Sequence, residues 1–135
     1  MYGLGNEFNI TTSATTAKVK VNMKNAGGVT FALIGATSGD ATVNYYDSAG
    51  ANETALAIIT EYWRQNNGVW TRVTQSAAAT FTAGTGGLAV CEIDADQLPD
   101  AAQYLAATHA SGSFLVLTRS LHSMRYPSNL PDIRA

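Results

Sequence analysis

The acidic residues of this chain include one local cluster whose carboxylates could bind a hard cation. Glu92, Asp94, Asp96 and Asp100 follow one another within a short stretch. Calcium takes several oxygen ligands, often from a single loop with a glycine at its sharp turn. No glycine occupies this stretch. The pattern therefore favours a solvated strand end, and we predict no metal site.

The other residues that could do chemistry are isolated from one another. Cys91 lies among apolar residues, whereas a nucleophilic thiol needs a nearby base. His109 and His122 have no partner at the spacing of a helical metal site. The glycine-rich segment 84–87 lacks the lysine and hydroxyl residue of a phosphate loop. We therefore predict a protein that is not an enzyme and uses no cofactor.

Aromatic residues are concentrated in the middle of the chain. Tyr45, Tyr46, Tyr62, Trp63 and Trp70 all lie within one third of its length. Exposed aromatic rings on a sheet can stack on sugar rings or fill a partner's pocket, although a position in the core is the commoner role. We interpret Tyr62, Trp63 and Trp70 as a candidate exposed aromatic face, with a glycan as one alternative ligand.

Short strands separated by turns must position these residues. Residues 29–34 form an apolar run, and residues 41–46 are β-branched and aromatic. Hydrophobic residues make up 46% of the chain and charged residues only 13%, which excludes a disordered tail and a coiled coil. The pattern predicts an all-β protein, a single antiparallel β-sandwich or jelly-roll-like domain with extended N- and C-terminal arms.

Two turns predict hairpins. Asn67-Gly68 between two β-rich runs is a strong hairpin signal. A two-residue turn would place Trp63 opposite Arg72, whereas a three-residue loop would place Arg64 opposite Trp70, and the sequence does not choose between them. Ser111-Gly112 predicts a last hairpin between residues 104–109 and 114–121.

The ends of the chain are predicted to be arms around one domain. Residues 1–16 form the N-terminal arm, 17–125 the sandwich and 126–135 the C-terminal arm. The N-terminal arm carries four apolar residues suited to anchoring, namely Tyr2, Leu4, Phe8 and Ile10. No signal peptide or apolar run of membrane-spanning length is apparent, so we expect synthesis in a cytoplasm and no membrane contact.

The charge balance argues against nucleic-acid binding. Eight lysines and arginines stand against ten acidic residues, for a net charge of −2. Three of the cations, Lys18, Lys20 and Lys24, lie close together, and the others are scattered. Binding to nucleic acid requires a basic patch that neutralises several phosphates at once. We therefore predict no nucleic-acid partner.

Several segments resemble those of a group of small tailed-phage virion proteins. Residues 59–71 read ITEYWRQNNGVWT and look like the aromatic hairpin of that group. Residues 92–100, EIDADQLPD, are similar to the acidic turn that follows in it. The later segments 104–108, 114–117, 125–127 and 130–131 also fit, so the resemblance covers roughly residues 27–131.

The resemblance implies a head decoration, or cement, protein. It implies a non-enzymatic component of the virion that binds the major capsid protein on the capsid surface, with the arm residues Tyr2, Leu4, Phe8 and Ile10 as candidate contacts. Threefold positions in a capsid make a homotrimer the favoured assembly. Two alternatives stay open, a tail structural protein and a carbohydrate-binding module that uses Tyr62, Trp63 and Trp70.

Overall fold

Two antiparallel β-sheets pack face to face in the computed structural model, which describes residues 8–14, 18–24, 26–37 and 39–119. The first sheet has six strands in the order β1-β11-β3-β9-β6-β7, and the second has the order β2-β10-β4-β5 with β8 also paired to β4. In chain order the elements are β1 (Phe8–Ala14), β2 (Val21–Asn22), β3 (Gly28–Ile34), β4 (Asp40–Tyr46), β5 (Thr54–Ala55), β6 (Ile59–Asn66), β7 (Val69–Ala78), β8 (Thr80–Thr82), β9 (Ala89–Asp94), the 3₁₀ turn η1 (Ala95–Gln97), β10 (Tyr104–Thr108) and β11 (Ser113–Arg119). The predicted all-β antiparallel sandwich is confirmed.

The core lies between the two sheets because alternate residues of each strand face inward. In β3 the buried residues are Val29, Phe31 and Leu33, and β11 contributes Phe114 and Val116 with the same alternate spacing. This period of two is what a half-buried strand requires. The ring of Phe81 from the second sheet meets that of Phe114 from the first at 6.5 Å between centroids, so aromatic contacts join the sheets.

The predicted last hairpin is wrong. β10 pairs with β2 and β4 in the second sheet, whereas β11 pairs with β1 and β3 in the first. The turn at Ser111-Gly112 therefore carries the chain from one sheet to the other. Hairpin and crossover turns use the same residue types, so turn residues alone do not distinguish them. Whether these two strands pair with each other or lie in opposite sheets is decided by how their apolar residues are buried between the two layers.

The first sheet begins inside the segment predicted as the N-terminal arm. β1, which contains Phe8 and Ile10, pairs with β11 along its length, from Phe8 opposite Arg119 to Ala14 opposite Ser113. Backbone pairing therefore places this segment at the edge of the sheet. Tyr2, Leu4 and the predicted C-terminal arm, 126–135, lie outside the described residues. A role of the arm in capsid contact stays a prediction.

Candidate docking face

The β6–β7 hairpin places both tryptophans. Asn67 and Gly68 have φ angles of 49° and 80°, and Asn66 pairs with Val69 around them. Two successive positive φ values define the turn that matches the twist of the flanking strands. The loop thus has two residues, and Trp63 lies opposite Arg72 as the first of the two registers predicts.

Trp63 and Trp70 lie on the outer face of the six-stranded sheet, whereas Tyr62 does not. The two indoles are 48% and 45% exposed. Tyr62 is only 4% exposed and packs on Phe81, with ring centroids 6.1 Å apart. Its assignment to the exposed aromatic face is wrong, because neighbouring residues of a strand point to opposite faces and Tyr62 has the inward parity.

A shallow groove of about 300 Å³ runs beside the two tryptophans. Its lining consists of Trp63, Trp70, Val90 and Glu92, and we call it the tryptophan groove. Val90 lies directly opposite Trp63 in the β6–β9 pair, and Glu92 follows two residues later on the same face of β9. Sequence reasoning missed both of these residues as members of the site, because they come from a separate segment.

Apolar residues extend this surface sideways across the sheet. Trp63 lies opposite Val90, Val90 opposite Ala32, and Ala32 opposite Leu115. Residues directly opposite one another in antiparallel strands share a face. Ile34, two residues beyond Ala32, is 46% exposed. The sheet therefore presents an outer face with a continuous apolar row.

The charges on the outer face are mostly paired. The guanidinium of Arg72 donates hydrogen bonds to the carboxylate of Glu61, with Nε 3.0 Å from Oε2. Arg119 donates to Asp94 at 2.7 Å and passes over Gly28, where a side chain would collide with it. Among the described residues Glu92 is in no ion pair. A hydroxyl, Thr30 Oγ1, lies 3.5 Å from its carboxylate.

Within the acidic segment 92–100, Asp94 has a structural role. Asp94 precedes η1 as its N-cap, and its backbone N–H donates to the side chain of Gln97 at 3.0 Å. The carboxylate of Asp94 also accepts the hydrogen bond from Arg119. Within the described part of the chain, no three histidine, cysteine or acidic side chains are placed to share a metal ion.

Cys91 and His109 occupy structural positions. Cys91 is fully buried in β9, and burial, with the charge of Glu92 as a lesser cause, raises the pKa of its thiol to about 12. The Nδ1 atom of His109 lies 3.0 Å from the amide nitrogen of Ser111, and Nε2 lies 3.2 Å from the carbonyl oxygen of Gly39. In the neutral tautomer with hydrogen on Nε2, the ring accepts from Ser111 and donates to Gly39. His122 lies outside the described residues.

A second, larger depression lies at one end of the sandwich. It has a volume of about 600 Å³ and is open to solvent, with Met23, Lys24, Asp47 and Asp100 in its lining. The carboxylate of Asp47 accepts hydrogen bonds from its own turn, first of all from the amide of Ala51, and these bonds lower its pKa. Asp47 thus stabilises its own turn.

Comparison with known proteins did not identify a family. No family model, curated protein or solved structure matches the chain. None of the described residues form a helix long and apolar enough to cross a membrane. The side chains of the tryptophan groove and the outer face are thus the basis for a proposed function.

Proposed function

We propose that this protein is a non-enzymatic virion structural protein that binds the outer surface of a phage capsid and stabilises it. The observation that carries the proposal is the outer face of the six-stranded sheet, where two tryptophans and Ile34 are each nearly half exposed. Contiguous apolar surface of this kind marks interaction sites on soluble proteins. Tryptophan is also among the residues that contribute most to protein interfaces.

Assembly on a repeating lattice fits a small domain with this face. The major capsid protein is the proposed partner, and a homotrimer at threefold positions is the favoured arrangement. Many copies bound at once can stabilise a shell even when each contact is weak, because linked contacts act as one multivalent interaction. The proposed location is the capsid surface, after synthesis in the host cytoplasm.

Co-sedimentation with heads that lack the protein tests this function. The purified protein should bind heads of its source virus saturably, at a fixed copy number per head. Trp70→Ser should weaken binding at least tenfold, because it removes an exposed anchor of the outer face. Val19→Ser is the matched control, since Val19 is 39% exposed outside that face, and it should bind as the unmodified protein does. Absence of binding by the folded, unmodified protein would refute the proposal, and ring or tube formation in isolation would favour a tail structural protein.

A separate test concerns the N-terminal arm. Deleting residues 2–7 removes Tyr2 and Leu4 but leaves β1 intact. If the arm anchors the protein, the truncated form should keep its far-ultraviolet circular dichroism spectrum and lose head binding. Full binding by the truncated form would exclude these two residues as contacts.

Carbohydrate binding is the second candidate, and the two exposed indoles beside the tryptophan groove favour it. Flat aromatic surface stacks on the apolar faces of sugar rings. Binding on a glycan array that is lost in Trp63→Ala and in Trp70→Ala, with folding intact, would support this function. Absence of binding to any glycan would remove it.

A further inference from the structure

The tryptophan groove combines aromatic surface with a carboxylate that has no cationic partner among the described residues. Two of its lining residues are indoles, one is an aliphatic side chain, and the fourth is Glu92. Of the cations on the same face, Arg72 is held by Glu61 and Arg119 by Asp94. The groove therefore keeps a net negative charge from Glu92 beside two electron-rich rings.

These groups together suit a cation with an apolar stem. A lysine ammonium or arginine guanidinium is attracted to the face of an indole, more strongly than to other aromatic rings. The carboxylate of Glu92 adds a charge-assisted hydrogen bond. Val90 offers apolar contact to the methylene groups that carry such a charge. A neutral sugar, by contrast, needs several hydrogen-bonding groups around the ring, and among the described residues Glu92 is the one charged or amide side chain in the lining.

We propose that the tryptophan groove binds a lysine or arginine side chain of a protein partner. This inference rests on the proposed function, because it takes the partner to be the capsid protein and assigns the groove as the central contact. Charge complementarity identifies the occupant. Glu92 would set which part of the partner docks, and the two indoles would supply most of the contact area.

Intrinsic fluorescence can test the groove without the virus. The chain has two tryptophans, and both line the groove, so the indole emission reports on this site alone. The probe is Nα-acetyl-lysine methylamide, and the control ligand is the Nα,Nε-diacetyl compound, which keeps the stem and removes the charge. At constant ionic strength the charged probe should shift the emission saturably, and the neutral one should bind at least about fivefold more weakly.

Two matched variants distinguish a negative charge that lies in the tryptophan groove from a negative charge elsewhere on the surface. Glu92→Gln should weaken binding of the charged probe about fivefold and leave the unfolding midpoint unchanged, since Glu92 is exposed. Asp96→Asn makes the same change of charge at an exposed position of η1 and should bind as the unmodified protein does. Equal binding of the charged and neutral probes, or equal effects of the two variants, would overturn the inference. A shift produced by mono- or disaccharides in place of the lysine probe would also overturn it.

Head binding then distinguishes failure of the inference from failure of the proposed function. Glu92→Lys should lose head binding, and Asp96→Lys should retain it. If both variants bind heads as the unmodified protein does, the groove is not the contact although the function stands. If the unmodified protein binds the lysine probe and binds no heads, the groove's chemistry is supported and the capsid function is refuted.

Discussion

Replacing Gly112 by alanine should destabilise the sandwich strongly, because this glycine lies where the chain crosses between the sheets. Its φ is +82°, in the left-handed region that L side chains rarely adopt. A Cβ atom there would lie well inside the van der Waals contact distance of the Ile34 carbonyl oxygen and 2.9 Å from the amide nitrogen of Ala36. Both are backbone atoms, one in the last residue of β3 and the other two residues beyond it, so they cannot rotate away as the end of a side chain could.

The size of the effect follows from two contributions. The left-handed conformation costs a non-glycine residue about 1–2 kcal/mol. Forcing an extra carbon into a packed position costs about 1–3 kcal/mol more. Gly68 is a matched reference, because its φ is +80° and no atom beyond its two chain neighbours lies within 4 Å of the position of a Cβ. Gly68→Ala should therefore show the first cost alone, and Gly112→Ala should be less stable than it by about 1–3 kcal/mol.

Thermal and urea unfolding, followed by far-ultraviolet circular dichroism, measure this difference. For a domain of this size, 1 kcal/mol corresponds to about 3–4 °C in Tm. Gly112→Ala should thus melt several degrees below Gly68→Ala, with a similar dependence on urea concentration. Equal destabilisation by the two substitutions would refute the reasoning, because it would mean that the close approach of Gly112 to β3 does not constrain the fold.

Three further predictions concern the core and the surface. Phe81→Ala should reduce the free energy of unfolding by about 3–5 kcal/mol, because it removes a fully buried ring that contacts two other rings. A loss below about 1 kcal/mol in a urea titration would contradict this packing. Cys91 should not react with a thiol reagent such as DTNB in the native protein, because burial raises the pKa of its thiol to about 12. It should react after the protein is unfolded in urea. Rapid labelling under native conditions would contradict the buried position of the thiol. A hydrogen bond from Lys18 lowers the pKa of Glu53, so the stability that this carboxylate contributes is present above its ordinary pKa of 4.5 and is lost as the pH falls through the lowered value. Glu53→Gln should therefore lose less stability than the unmodified protein on acidification, and identical pH profiles would exclude the contribution.

Much of the fold follows from local residue patterns. The alternation in β3 predicts a half-buried strand because side chains of an extended chain point to opposite faces in turn. Asn67-Gly68 predicts a hairpin because both residues tolerate positive φ. The same alternation implies that Tyr62 and Trp63 face opposite ways, but parity alone does not say which face is buried. Contact of Tyr62 with Phe81 on another strand decides that.

The candidate site depends more heavily on contacts between distant segments. The sequence by itself determined an all-β sandwich, the position of the tryptophan hairpin and the absence of a recognisable catalytic motif. The tertiary structure decided that Ser111-Gly112 connects two sheets and that β9 lies beside β6, which brings Val90 and Glu92 to the tryptophans. The physical reason is that strand order is set by the total burial of the apolar faces of both sheets. Every strand of the domain contributes to that burial, so no single segment determines the order.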